Sequence, residues 1–152
     1  MRPFHLTAPE PLELDIHEAL ARALDALLPP PAFWACYPAG HVQLAPHETA
    51  RLARLGLKRG LPDIIIWYFG TWGLEVKRRG GRLSKTRVGR TRKGSPRILE
   101  GQADVFPKLI ASGGFAAIGV VHNVDEALAQ LASWGIPLRV PPPHRLIFSR
   151  QS

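Results

Sequence analysis

The sequence predicts an α/β chain, and three observations carry that prediction. Apolar residues recur at helical spacing between Leu12 and Leu28, and two β-branched and aromatic runs flank Gly70-Thr71. Further on, a continuous apolar run of strand length covers Phe115 to Val121. The predicted order is helix, strand, short helix, two strands, a basic arm, then helix, strand, helix. With 152 residues, 45% of them apolar, the chain is long enough to bury a sizeable core. A single domain over 1–152 is expected, its core spanning about 12–140.

The first helix shows Ile16, Leu20, Ala23, Leu24 and Leu27 on one stripe and is stopped by Pro29-Pro30-Pro31. Before it, Pro3, Pro9 and Pro11 mark an extended arm. Phe33 to Tyr37 is a strand, Gly40 to Pro46 a loop, and His47 to Leu55 a short helix ending before Gly56. Ile64 to Phe69 and about Trp72 to Lys77 form the central hairpin. Leu99 to Ser112 returns to helical spacing with Val105, Leu109 and Ile110 inward, and Pro107 either kinks this helix or marks a later start. The apolar run Phe115–Val121 suits a strand covered on both faces. Asn123 or Asp125 can cap a helix from Val124 to about Trp134. The tail carries Pro141-Pro142-Pro143.

Charge narrows the function. A net charge of +8 points to a polyanionic partner, nucleic acid before an anionic membrane. Ten of the 20 Lys and Arg fall between Lys77 and Arg97, a stretch with no acid and several glycines. That stretch (about 78–98) reads as a mobile loop or a twisted β-arm. The single Cys36 forbids an internal disulfide, and its apolar neighbours predict a packed, inert thiol. No apolar run approaches 18 residues and no signal-type N-terminus is evident, so a soluble, cytoplasmic protein is expected.

The chemistry concentrates in Gly60–Lys77, GLPDIIIWYFGTWGLEVK. Asp63 opens its first strand, and Glu75-Val76-Lys77 closes the second. Charged groups on an apolar hairpin are costly to bury without partners. Side chains alternate along a strand, so Glu75 and Lys77 share a face. Asp63 joins them only if the antiparallel register pairs odd positions with odd, through a three-residue connection at Gly70-Thr71-Trp72 or a bulge. Two carboxylates then converge on one divalent ion, and hard oxygen ligands favour Mg²⁺ or Mn²⁺. Lys77 beside it would orient and polarise a water, while the downstream arm holds a phosphodiester backbone. Glu13 stands at the start of the inward stripe of the first helix, with His17 on the same side. Its position alone reads as a helix-start acid; it is kept as a candidate. Zinc is disfavoured, since the six histidines show no ligand spacing and there is no second cysteine. No phosphate-binding glycine loop is present, so no organic cofactor is expected.

Several segments resemble the VRR-NUC branch of the PD-(D/E)XK nuclease superfamily. They are Glu13-x-x-Ile16-His17, Leu57-Lys58-Arg59-Gly60-Leu61-Pro62-Asp63, Gly73-Leu74-Glu75-Val76-Lys77, Gly81-Arg82-Leu83-Ser84 and Gln102. Gly114 through Val124-Asp125-Glu126-Ala127 and Trp134-Gly135-Ile136-Pro137 also fit. The resemblance covers about Glu13 to Arg139. It implies a restriction-endonuclease-like mixed sheet flanked by helices (αβββαβ, with an extra short helix and a C-terminal helix). It implies Asp63 and Glu75 as metal ligands helped by the Val76 carbonyl, Lys77 serving the nucleophilic water, and Glu13 completing the acidic site. Gln102 would sit beside it at the start of the next helix. Two departures stand out: His17 occupies a site where many members carry Gln, and the span from Ser84 to Gln102 is longer than the family linker. Small stand-alone members look like homodimers acting on branched DNA, which makes a homodimer the expectation.

The reading is therefore a Mg²⁺-dependent DNA endonuclease acting on duplex or branched DNA, with no membrane partner. The expected DNA-binding residues are Lys58, Arg59, Arg78, Arg79, Arg82, Lys85, Arg87, Arg90, Arg92, Lys93 and Arg97. Two alternatives accompany it: a basic nucleic-acid-binding module with a vestigial site, and a structural RNA-associated protein supported only by charge.

Overall fold

The computed structural model describes residues 9–37, 45–56 and 58–139. The N-terminal proline arm up to residue 8, most of the loop after Tyr37 and the Pro141–Pro143 tail lie outside the described residues. Four helices, α1 (Glu13–Leu27), α2 (Pro46–Arg54), α3 (Gln102–Ala111) and α4 (Val124–Ser133), accompany six strands. The strands are β1 (Phe33–Cys36), β2 (Ile64–Trp67), β3 (Thr71–Val76), β4 (Arg87–Arg90), β5 (Pro96–Leu99) and β6 (Ala117–Val121). This is a mixed α/β architecture. β1, β2 and β3 run antiparallel and β6 joins β3 in parallel, giving a four-stranded mixed sheet in the order β1-β2-β3-β6. β4 and β5 form a separate two-stranded ribbon.

Alternation along the strands divides the sheet into two unlike faces. Ile64, Ile66, Leu74, Val76 and Val121 join Ile16, Leu20 and Leu24 of α1 and Ala127 and Leu131 of α4 in one apolar cluster. Burying such a set removes apolar area from water at about 25 cal/mol per Å² and is what holds α1 and α4 to this face. The intervening positions, among them Gly73 and Glu75, face the other way, toward α3. Gly73 is needed there because a Cβ would come within 2.6 Å of the buried Pro62.

Helix ends follow local chemistry. Asp15 accepts from the Leu12 amide at 3.0 Å and Glu48 from the Ala45 amide at 2.9 Å, each acid reaching back to its helix start. At α4 the Asn123 side chain, not Asp125, accepts from the Glu126 amide at 2.8 Å. Among the described residues no helix is long and apolar enough to cross a membrane.

Several expectations need correction. The β2–β3 connection is Tyr68-Phe69-Gly70, because Trp67 pairs with Thr71, rather than Gly70-Thr71-Trp72. Phe69 takes a left-handed conformation (φ 46°) to close it, which a bulky side chain does not announce. α3 starts at Gln102 and keeps Pro107 inside, while Leu99 ends β5. Pro107 stands in the second turn of this helix, where its missing N–H costs a single bond. Ile110 points out, 40% exposed. β6 is an edge strand and not covered on both faces, since Val120 is 36% exposed. Cys36 is exposed as well, because β1 is the other edge.

Candidate active site

The β2–β3 register pairs Ile64 with Leu74 and Ile66 with Trp72, so even positions meet even and odd meet odd. One step beyond Ile64–Leu74 come Asp63 and Glu75. The three-residue connection is thus present, two positions earlier than expected, and it puts the two acids opposite each other. Asp63 is tied down by the strand it faces: its Oδ2 accepts from the Val76 amide at 2.8 Å.

Asp63 reaches this place through the turn before it. Gly60 has φ 92°, and a Cβ there would meet all three Val105 side-chain carbons at 2.9–3.1 Å. Only glycine allows Gly60–Asp63 to press onto α3 at this spot. Tyr37 braces the same segment, its hydroxyl donating to the Lys58 carbonyl at 2.8 Å.

Glu75 is fully buried. Its Oε1 accepts from Lys77 Nζ at 2.5 Å and from Gln102 Nε2 at 2.5 Å. Its Oε2 is buried and has no hydrogen-bond partner among the described residues. Burial pushes the Glu75 carboxyl above its ordinary value and the nearby Asp63 adds to this, while Lys77 and Gln102 act in opposition. For Lys77, burial pulls the ammonium down, but the bond and charge of Glu75, with Glu13 and Asp63 behind it, outweigh that. Lys77 is held above the usual lysine value and stays charged at neutral pH. It is a hydrogen-bond donor and a fixed positive charge beside the two carboxylates.

Gln102, the first residue of α3, is the hinge between this centre and the basic arm. Its Oε1 faces the Ser84 amide at 3.5 Å, its own amide donates to Ser84 Oγ at 3.0 Å, and the Ala103 amide donates to the Ser84 carbonyl at 3.0 Å. Ser84 therefore caps α3 from 18 residues away in sequence. Thr86 and Asp104 extend the clasp: the Thr86 amide donates to Asp104 Oδ2 at 3.2 Å, and the Gly101 amide to Thr86 Oγ1 at 3.0 Å. A Cβ on Gly101 would lie 2.3 Å from the Ser84 carbonyl oxygen, so the two ends of the inserted segment meet.

The structure thus brings Asp63, Glu75, Val76, Lys77 and Gln102 together. Glu13 stands at their edge, half-buried, accepting from the Arg78 amide at 3.4 Å and acting on Lys77 through its charge. His17 is buried one turn further along α1. An open cleft of about 600 Å³ runs past this centre, lined by Tyr37, Arg59, Asp63, Ser84, Arg87 and Gln102 among others. Of the eleven basic residues singled out in the sequence, Arg59, Lys85 and Arg87 border it. Lys58, Arg78, Arg79, Arg82, Arg90, Arg92, Lys93 and Arg97 are exposed and do not line it. None of the eleven forms a salt bridge with an acid among the described residues. The roles of Ser84, Thr86 and Asp104 are not legible from spacing, because the ribbon separates them in sequence.

Among the described residues no three His, Cys, Asp or Glu side chains gather as a metal-ligand cluster. Two carboxylates suffice for an ion such as Mg²⁺, which keeps several of its waters. A buried carboxylate oxygen without a donor, beside a second carboxylate, is the kind of group a divalent cation satisfies. The residues fit such an ion. No family model matches this chain, and comparisons with curated proteins and with solved structures return no match.

Proposed function

We propose that the chain is a Mg²⁺- or Mn²⁺-dependent DNA endonuclease built on a PD-(D/E)XK-type core. The observation that carries the reading is Glu75 Oε2, a fully buried carboxylate oxygen without a donor among the described residues, on a carboxylate that lies next to Asp63 and pairs through Oε1 with a charged Lys77. Asp63, Glu75 and the Val76 carbonyl would hold the ion, with Glu13 contributing charge from the edge. When bound, such an ion supplies Lewis acidity at a phosphate oxygen and lowers the pKa of a water. Lys77 contributes an ammonium to developing negative charge, and Gln102 holds the Glu75 carboxylate in place. The exposed cations along the cleft and ribbon, without a salt-bridge partner among the described residues, suit a phosphodiester backbone, branched or duplex. A homodimer in the cytoplasm of a bacterial cell or phage-infected host is the expected setting.

The test is cleavage of plasmid, linear and branched DNA with and without Mg²⁺ or Mn²⁺. Asp63→Ala and Lys77→Ala should each lower the rate by about 100-fold or more. Unchanged cleavage in either would overturn the site assignment. Salt-sensitive binding with no cleavage under any divalent ion would favour a binding module instead.

A further inference from the structure

The ribbon β4–β5 is the part of the molecule that cleavage chemistry leaves unused. Among the described residues its strands share, beyond each other, no extensive contact with another helix or strand. An isolated two-stranded ribbon is marginal in water, yet this one displays apolar side chains. Val88 and Ile98 sit opposite each other on the ladder, 75% and 70% exposed. Arg90 and Pro96 are the next even-numbered pair on that face. The other face differs: Arg87 pairs with Leu99, both line the cleft, and Leu99 lies over Gly89, where a Cβ would approach it to 2.8 Å. One face of the ribbon looks into the cleft and the other looks away. The clasp of Ser84 and Thr86 on α3 sets its base beside Gln102.

Charge selects what covers Val88 and Ile98. The ribbon carries Arg87, Arg90, Arg92, Lys93 and Arg97 and no acid. A second copy laid face to face would oppose two like-charged ribbons. A polyanion is attracted, and an open cleft of about 600 Å³ at the ribbon's foot suits an extended chain better than a flat bilayer.

We propose that the ribbon is a pin standing at a boundary between single- and double-stranded DNA. The duplex end meets the outer face, its last base pair resting on Val88 and Ile98; one strand continues along that face, and the other turns round the ribbon to Arg87, the cleft and Asp63. Apolar side chains give stacking area without hydrogen-bond readout, so the pin selects geometry and not sequence. This rests on the nucleic-acid half of the function proposed above and not on its cleavage chemistry.

Binding in EDTA separates the two. The full chain is titrated against fluorescein-labelled forked DNA and against a fully paired duplex of equal length, with 2-aminopurine at the branch of a second fork. The fork should bind about ten-fold more tightly than the duplex, and 2-aminopurine should brighten on binding. Val88→Ser/Ile98→Ser should cut that preference to within about two-fold while duplex affinity holds, since the cations remain. Should this variant melt early, Val88→Ala/Ile98→Ala replaces it, and the 2-aminopurine signal of the parent stands regardless. Equal affinity for fork and duplex with unchanged 2-aminopurine overturns the proposal, as does full fork preference in the serine variant. A dimer that the serine variant converts to monomer overturns it too, as does loss of binding to phosphatidylserine vesicles with fork binding intact. Fork preference without any Mg²⁺-dependent cleavage would leave the pin standing and remove the nuclease reading alone.

Discussion

Gln102 Nε2 donates to Glu75 Oε1 at 2.5 Å, so the first residue of α3 holds the buried carboxylate of β3. The other end of the same amide faces the Ser84 backbone at 3.5 Å. An amide with an acceptor fixed on one side and a donor on the other has one sensible orientation. Gln102→Ala should lower cleavage by about 10- to 100-fold, as loss of an outer partner does at a ligand. Ser84→Ala should cost about 1 kcal/mol of stability through the lost cap, with Ser84→Thr restoring it. Mg²⁺ titrations of rate beside melting curves distinguish the two effects, because cap loss alone leaves the Mg²⁺ dependence where it was.

Glu75→Gln should separate stability from function. Burial, then Asp63, raise the Glu75 carboxyl above its usual value. The folded chain therefore binds that proton more tightly than the unfolded chain does, and ionised Glu75 costs stability once pH exceeds the unfolded value of about 4.3. In EDTA at pH 7 to 8 the variant should melt higher than the parent, by roughly 3 °C for about 1 kcal/mol. The gap should close as pH falls toward 4. Lys77 keeps Asp63 and Glu13 as charge partners in the variant. Added Mg²⁺ should raise the melting temperature of the parent and leave the variant unmoved. A variant that melts lower at neutral pH would mean that Lys77 and Gln102 already outweigh the burial.

Gly60→Ala strains the backbone and pushes on Val105 together. A loss of about 1–3 kcal/mol is expected from the left-handed φ and the displaced α3 packing. Because the same turn aims Asp63, cleavage should fall further than stability explains. Gly80→Ala is the control: φ is also positive there, at 76°, but nothing stands within 4 Å of the added Cβ. Melting and turnover of the two variants decide the point.

Neutralising Arg87, Arg90, Arg92 and Lys93 to Gln should weaken DNA binding and reduce its salt slope by up to about 3.6, at about 0.9 for each phosphate left without its cation. All four are exposed and none pairs with an acid among the described residues, so the fold should be unaffected. An unchanged slope would assign the ribbon to something other than DNA.

Much of this site is legible in the chain. Asp63, Glu75 and Lys77 announce themselves as charges in an apolar hairpin, and strand alternation demands the odd-with-odd register that the sheet displays. The stripe of α1 is equally clear, since Ile16, Leu20 and Leu24 are all buried. The turn falls two positions away from its expected place because Phe69 carries no mark of its left-handed conformation. The clasp is invisible in the sequence because Ser84 and Gln102 touch only after the ribbon folds back on itself, and local pattern holds no record of a pairing across 18 residues. The exposure of Cys36 and Val120 depends on which strands lie at the edges, which periodicity does not specify.

The Val76 amide on Asp63 Oδ2 has a consequence for how the protein can change over generations. The side chain of Val76 belongs to the apolar cluster, while the service it renders to the acid comes from the peptide. Any residue that fits the cluster inherits that service without having to be selected for it. Ile64, Ile66, Leu74 and Val76 can thus be exchanged for aliphatics of similar volume without touching the bond that Asp63 accepts.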